Sequence, residues 1–133
     1  MEATKNVKWV GVSLILLVGL IHFVDASGSM VESAAKGIFF YLNAAAAVVA
    51  ATGIYKARMS WGWGLGALVA AGAFVGYVVS RTVGLFGLPP DVWMEPIGVL
   101  SLIAEGLFVV LFAYAVSGRK TLARTTAAAR SPR

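Results

Sequence analysis

The sequence predicts an all-α protein, a four-helix transmembrane bundle with its N-terminus and C-terminus both cytoplasmic. Three observations lead there. Of 133 residues, 59% are hydrophobic, a further 15 are glycine and only 13% are charged, whereas soluble domains are roughly 45 to 50% apolar with glycine included. Four stretches, 7–24, 37–55, 61–81 and 96–116, are each long enough to cross a hydrocarbon core of about 30 Å, which takes ~20 helical residues. The eleven Lys and Arg residues fall almost entirely on one side of those stretches, the signature of the cytoplasmic face.

The first span follows Lys5 and Lys8. Its apolar core, from Trp9 to Ile21, sits at the long end of the ~7–15 residues of a signal-peptide core, so it is read as a retained helix despite the cleavage-like Val24-Asp25-Ala26. An outward loop is expected at 25–36, carrying Asp25, Glu32 and Lys36. The second span contains 44–51, apolar on every face, which suits a helix in lipid and not the alternating strand of a barrel. Lys56 and Arg58 then lie on the cytoplasmic side. In the third span Gly62, Gly66 and Ala70 recur every four residues, as do Gly72 and Gly76. Small residues at that spacing let helix backbones approach closely, here against helices two and four, with a homo-oligomer as the other use.

The loop 82–95 is mostly apolar and stiffened by Pro89 and Pro90. It is expected to lie in the interface as a lid or a cap over the bundle. Pro96 suits the first turn of the fourth helix, with Glu95 beside its positive end. Residues 1–116 form one membrane domain, and 117–133, with five basic residues among Ser, Thr and Ala, form a basic cytoplasmic tail. The formal charge of +5 is thereby accounted for by topology and contact with anionic lipid, with no nucleic acid implied. Trp9, Tyr55, Trp61, Trp63 and Tyr114 fall at the inner interface and Trp93 at the outer one, as aromatic belts require.

Several chemistries are excluded. The chain has no cysteine, hence no disulfide, thiolate metal site, iron-sulfur cluster or cysteine nucleophile. It has one histidine, so haem with two axial histidines from one chain is out. No nucleophile elbow, phosphate loop or dinucleotide fingerprint occurs.

What remains is a small set of polar residues inside the spans, each costing about 2.5 to 3.5 kcal/mol if charged at the bilayer centre. Glu105 lies nine residues into the fourth span, about 13 Å by helical rise, near the midplane. Asn43 lies at similar depth on the second, Tyr77 is shallower on the third, and His22 and Arg81 stand near the outer ends of the first and third. Helical side chains lean toward their own N-terminus. His22 and Arg81 therefore lean into the membrane while Asn43 and Glu105 lean outward, and the set converges in the outer half. For Arg81 an ion pair with Glu105 is one expected contact and a hold on the apolar loop the other, and Asn43 and Tyr77 are expected as hydrogen-bond partners. His22 and Glu105 with Glu32, or with Asp25 in its place, form a nitrogen-and-carboxylate set of the kind that binds iron, manganese or zinc.

The segment Ser80-Arg81-Thr-Val-Gly-Leu-Phe-Gly-Leu-Pro89, followed by a helix carrying Glu105, together with His22 and the acidic outer loop, resembles small four-helix integral membrane proteins of bacteria. The resemblance implies that His22, Arg81 and Glu105 belong together; it implies no substrate. The expected function is that of a binding or accessory protein of the cell membrane, with a polar pocket centred on Glu105 in the outer leaflet. The pocket would hold a divalent metal ion or an amphipathic molecule such as a quinone or lipid, or the protein would stabilise a larger membrane complex. The alternatives are a proton-coupled transporter or channel acting as an oligomer, and a membrane enzyme with His22 and Glu105 as an acid-base pair.

Overall fold

The computed structural model describes the backbone of residues 2–56 and 60–129 and the side chains of 5–56 and 61–118. Arg58, Arg130 and Arg133 lie outside the described residues, as do the side chains of Arg119, Lys120 and Arg124. Among the described residues there are four helices: α1 (Glu2–Glu32), α2 (Ala34–Tyr55), α3 (Ser60–Thr82) and α4 (Pro96–Ala129). Each is long and apolar enough to cross a membrane, which makes this an all-helical, multi-pass membrane fold. The helices form a ring in which each packs beside its chain neighbours and α4 closes against α1; α1 and α3 meet only slightly across the diagonal.

The expected outward loop at 25–36 is instead helical. α1 runs on to Glu32 and α2 starts at Ala34, leaving Ser33 as the single non-helical residue, extended at φ −157° and ψ 124°. Asp25, Ser27, Ser29 and Glu32 mark where the chain becomes polar, and nothing in that composition stops a helix: Gly28 is tolerated and proline is absent. The backbone ladder passes through the corner by Ser33 N–H to Ser29 O at 2.9 Å and Gly37 N–H to Ser33 O at 3.0 Å. α4 likewise continues past 116 as far as Ala129, through a stretch rich in the helix formers Ala, Leu, Lys and Arg.

The two ends of the bundle differ. At the end holding the chain termini, packing is tight. Gly53 and Gly62 bring α2 and α3 together so closely that a Cβ on Gly62 would stand 2.6 Å from the Gly53 carbonyl carbon and from the Ile54 nitrogen. Phe108 is fully buried against Gly66 and stacks on Trp63 with ring centroids 5.8 Å apart. Ile15, Val18, Ala47, Ala50 and Ile54 complete this core. The small residues of α3 thus serve packing within the chain at Gly62 and Gly66, whereas nothing lies within 4 Å of a Cβ on Gly72.

At the other end the corner at Ser33 meets the α3–α4 connection, residues 83–95. Gly84 takes φ +84°, where a side chain would meet the backbone of Leu88, so glycine is required there. Phe86 is left-handed at φ 56°, a conformation that costs a bulky residue about 1–3 kcal/mol. It is held by docking: Ser33 Oγ donates to Phe86 O at 3.3 Å and the Phe86 ring lies 5.5 Å from that of Phe39.

This packing predicts opposite outcomes for two alanines on one helix. Gly62→Ala should lower unfolding stability in detergent by about 1–3 kcal/mol through overpacking, while Gly72→Ala should leave it unchanged or raise it by less than about 1 kcal/mol; thermal unfolding of the two variants side by side checks this.

Candidate functional site

Above Phe108 the core opens into a cavity of about 280 Å³ at the loop end. α1 contributes His22 and Asp25, α2 Lys36, Phe39 and Phe40, α3 Tyr77 and Arg81, and α4 Ser101 and Glu105; Leu85, Phe86 and Leu88 to Asp91 of the connection form part of its wall. The apolar connection is therefore a wall of the cavity.

Glu105 is the innermost charged group, 1% exposed. The spacing to Ser101 puts both on one face of α4, and the Ser101 hydroxyl donates to Glu105 Oε1 at 2.6 Å. Glu105 Oε2 has no hydrogen-bond partner among the described residues. From α1, His22, 6% exposed, turns Nε2 toward Glu105 Oε1 at 3.9 Å, beyond hydrogen-bond reach. Its Nδ1 lies 2.9 Å from Val18 O. A carbonyl can only accept, so Nδ1 carries the proton and donates. The imidazole is also held by the edge of Phe40, with centroids 4.9 Å apart.

Arg81 does not meet Glu105. Its Nη2 donates to Glu95 Oε2 at 3.2 Å and stands 3.8 Å from Asp91 Oδ2, while Nε donates to Val92 O at 3.2 Å and Nη1 to Ser80 Oγ at 2.8 Å. Its Cζ lies 3.9 Å from the Tyr77 ring centroid, a cation–π stack. Tyr77 donates to Trp93 O at 2.5 Å, and Asp91 N–H binds Ser80 O. Of the two contacts the sequence left open for Arg81, a pair with Glu105 or a hold on the apolar loop, the structure shows the second. The guanidinium is a fork with five donors, and the connection supplies acceptors close to the end of α3, whereas Glu105 lies more than two turns into α4.

Asn43 is also not brought to the site. It is buried on α2 and absent from the cavity lining, and its Oδ1 has no partner among the described residues. Tyr77 does line the cavity, with its hydroxyl spent on the connection. Glu32 lies at the rim, where its Oε2 binds Lys36 Nζ at 2.5 Å one turn away. The metal set His22, Glu105 and Glu32 does not assemble: among the described residues no three His, Cys, Asp or Glu side chains stand together in a way that would hold a metal ion.

Sequence reasoning missed Asp91 and Glu95 as partners of Arg81, Ser101 as the donor to Glu105, and Phe40 as the support of His22. Ser101 was discoverable, standing four residues before Glu105. The loop acids were not, because contacts outside a helix have no periodicity. No family model matches the chain, and no curated protein or solved structure is significantly similar to it.

Arg81 fastens the connection to α3 and α4 at once. Charged hydrogen bonds of this kind contribute about 1.5–3 kcal/mol each. Arg81→Gln should therefore speed amide hydrogen exchange across 83–95 by about tenfold or more, most clearly at Asp91, and leave the amides around Phe108 unchanged.

Proposed function

We propose that this is a binding protein of the bacterial cell membrane that holds a small amphipathic molecule in the cavity against Glu105. Both termini lie in the cytoplasm and the cavity faces the outer leaflet. The orientation rests on charge: Lys5, Lys8 and Lys56 lie toward the end with the termini. At the cavity end, Lys36 and Arg81 are each matched by acids.

One observation carries the binding role. Glu105 Oε2 is buried without a partner at the floor of a cavity lined largely by apolar and aromatic side chains. Leaving a buried polar group unsatisfied costs about 1–3 kcal/mol, and more when it is charged. Asn43 Oδ1 is also buried without a partner but lies away from the cavity, whereas Glu105 lines it, so a ligand that fills the cavity satisfies Glu105. The volume suits a small molecule, and an apolar body fits walls built from Phe39, Phe40, Phe86 and Leu88. A metal ion is a weaker occupant, since only one imidazole and one carboxylate reach the floor.

Native mass spectrometry of the protein released in mild detergent, beside Glu105→Gln, tests the proposal. The expected result is a retained mass of a few hundred daltons or less in the wild type, reduced at least tenfold in the variant. The same bare mass for both, after incubation with a membrane extract, would remove the binding role.

A further inference from the structure

Resting on that binding role, we infer that the ligand is a cation: a protonated amine at one end of a short apolar or aromatic body, with the ammonium seated between Glu105 and His22. The argument is one of donors and acceptors. With Glu105 ionised, the hydroxyl and ring protons near the floor are already committed. Ser101 gives its hydroxyl proton to Glu105 Oε1, Tyr77 gives its own to Trp93 O, and His22 Nδ1 gives its proton to Val18 O. What is left on these lining residues is acceptor: Glu105 Oε2, without a partner among the described residues, and His22 Nε2, a lone pair in the ring whose other nitrogen is protonated. A head group made only of acceptors, such as a quinone carbonyl or a phosphate, meets no free donor there. An ammonium carries three donors and no acceptor, and its hydrogen bond to a carboxylate is charge-assisted.

Charge points the same way. Of the side chains lining the cavity, five are carboxylates and two are permanent cations, and both cations are engaged, Lys36 by Glu32 and Arg81 by Glu95, Asp91 and the Tyr77 ring. An anion finds no free positive charge, whereas a cation enters a field with an acidic excess. About 280 Å³ admits an arylalkylamine and excludes bulky cations with several rings.

Three probes of one shape separate the possibilities: 4-phenylbutylamine, 4-phenylbutan-1-ol and 4-phenylbutyrate, each titrated calorimetrically into wild-type protein and Glu105→Gln in the same detergent. The expected result is that the wild type binds the amine at least tenfold more tightly than the alcohol and binds the carboxylate weakest. In Glu105→Gln the amine should fall to the level of the alcohol, whose own affinity changes less than about twofold. Equal wild-type affinity for amine and alcohol, or tightest binding of the carboxylate, would overturn the cationic ligand and leave the cavity as a binding site. No measurable binding of any probe to the wild type would overturn both. The wild-type ranking alone decides among these outcomes, so the test survives a variant that fails to fold.

Discussion

Glu105 is a buried carboxyl group whose second oxygen has no hydrogen-bond partner among the described residues, and the rest of the molecule is arranged around that constraint. In a medium of low dielectric, a carboxylate is normally surrounded by donors or absent altogether. Here Ser101 serves one oxygen and the imidazole of His22 approaches without bonding. Phe108, one turn further along α4 and stacked on Trp63, seals the side below. The cavity above it is lined by Glu105 itself and is the space from which a ligand could satisfy that oxygen.

That cavity exists because the two ends of the bundle solve packing differently. Toward the termini, glycines at 53, 62 and 66 draw the helices into contact and large rings fill what is left. Toward the loop end, α3 and α4 are joined by thirteen residues, 83–95, in place of a tight turn, and Arg81 holds that connection by its backbone and its acids. The left-handed Phe86 docks the connection on the α1–α2 corner. A roof is thereby fixed over the polar groups while the space beneath it stays open.

Much of this was legible in the sequence. Hydropathy located all four helices, because a lipid-facing helix must be apolar over ~20 residues whatever it packs against. The N-terminal lean of helical side chains placed His22 and Glu105 in the same half of the bundle, and they do approach each other. Two features were hidden for physical reasons. Polarity at Asp25 and Glu32 reports where the chain leaves an apolar environment, not where its helix stops, so the single-residue corner at Ser33 was read as a loop. Arg81 and Asn43 were drawn toward Glu105 by depth alone, yet depth says nothing about which way round the helix a side chain faces. Arg81 found acceptors in the connection, and Asn43 stands apart from the cavity lining.

If Glu105 is kept for a ligand, it lowers the stability of the empty protein; if it is an internal tie, it raises it. Unfolding of ligand-free wild type and Glu105→Met, compared in the same detergent, separates the two directly, because methionine roughly preserves the volume and removes the unsatisfied oxygen. The account predicts that Glu105→Met is more stable, by about 1 kcal/mol or more. A loss of stability of that size would contradict it and make Glu105 a structural bond between α1 and α4.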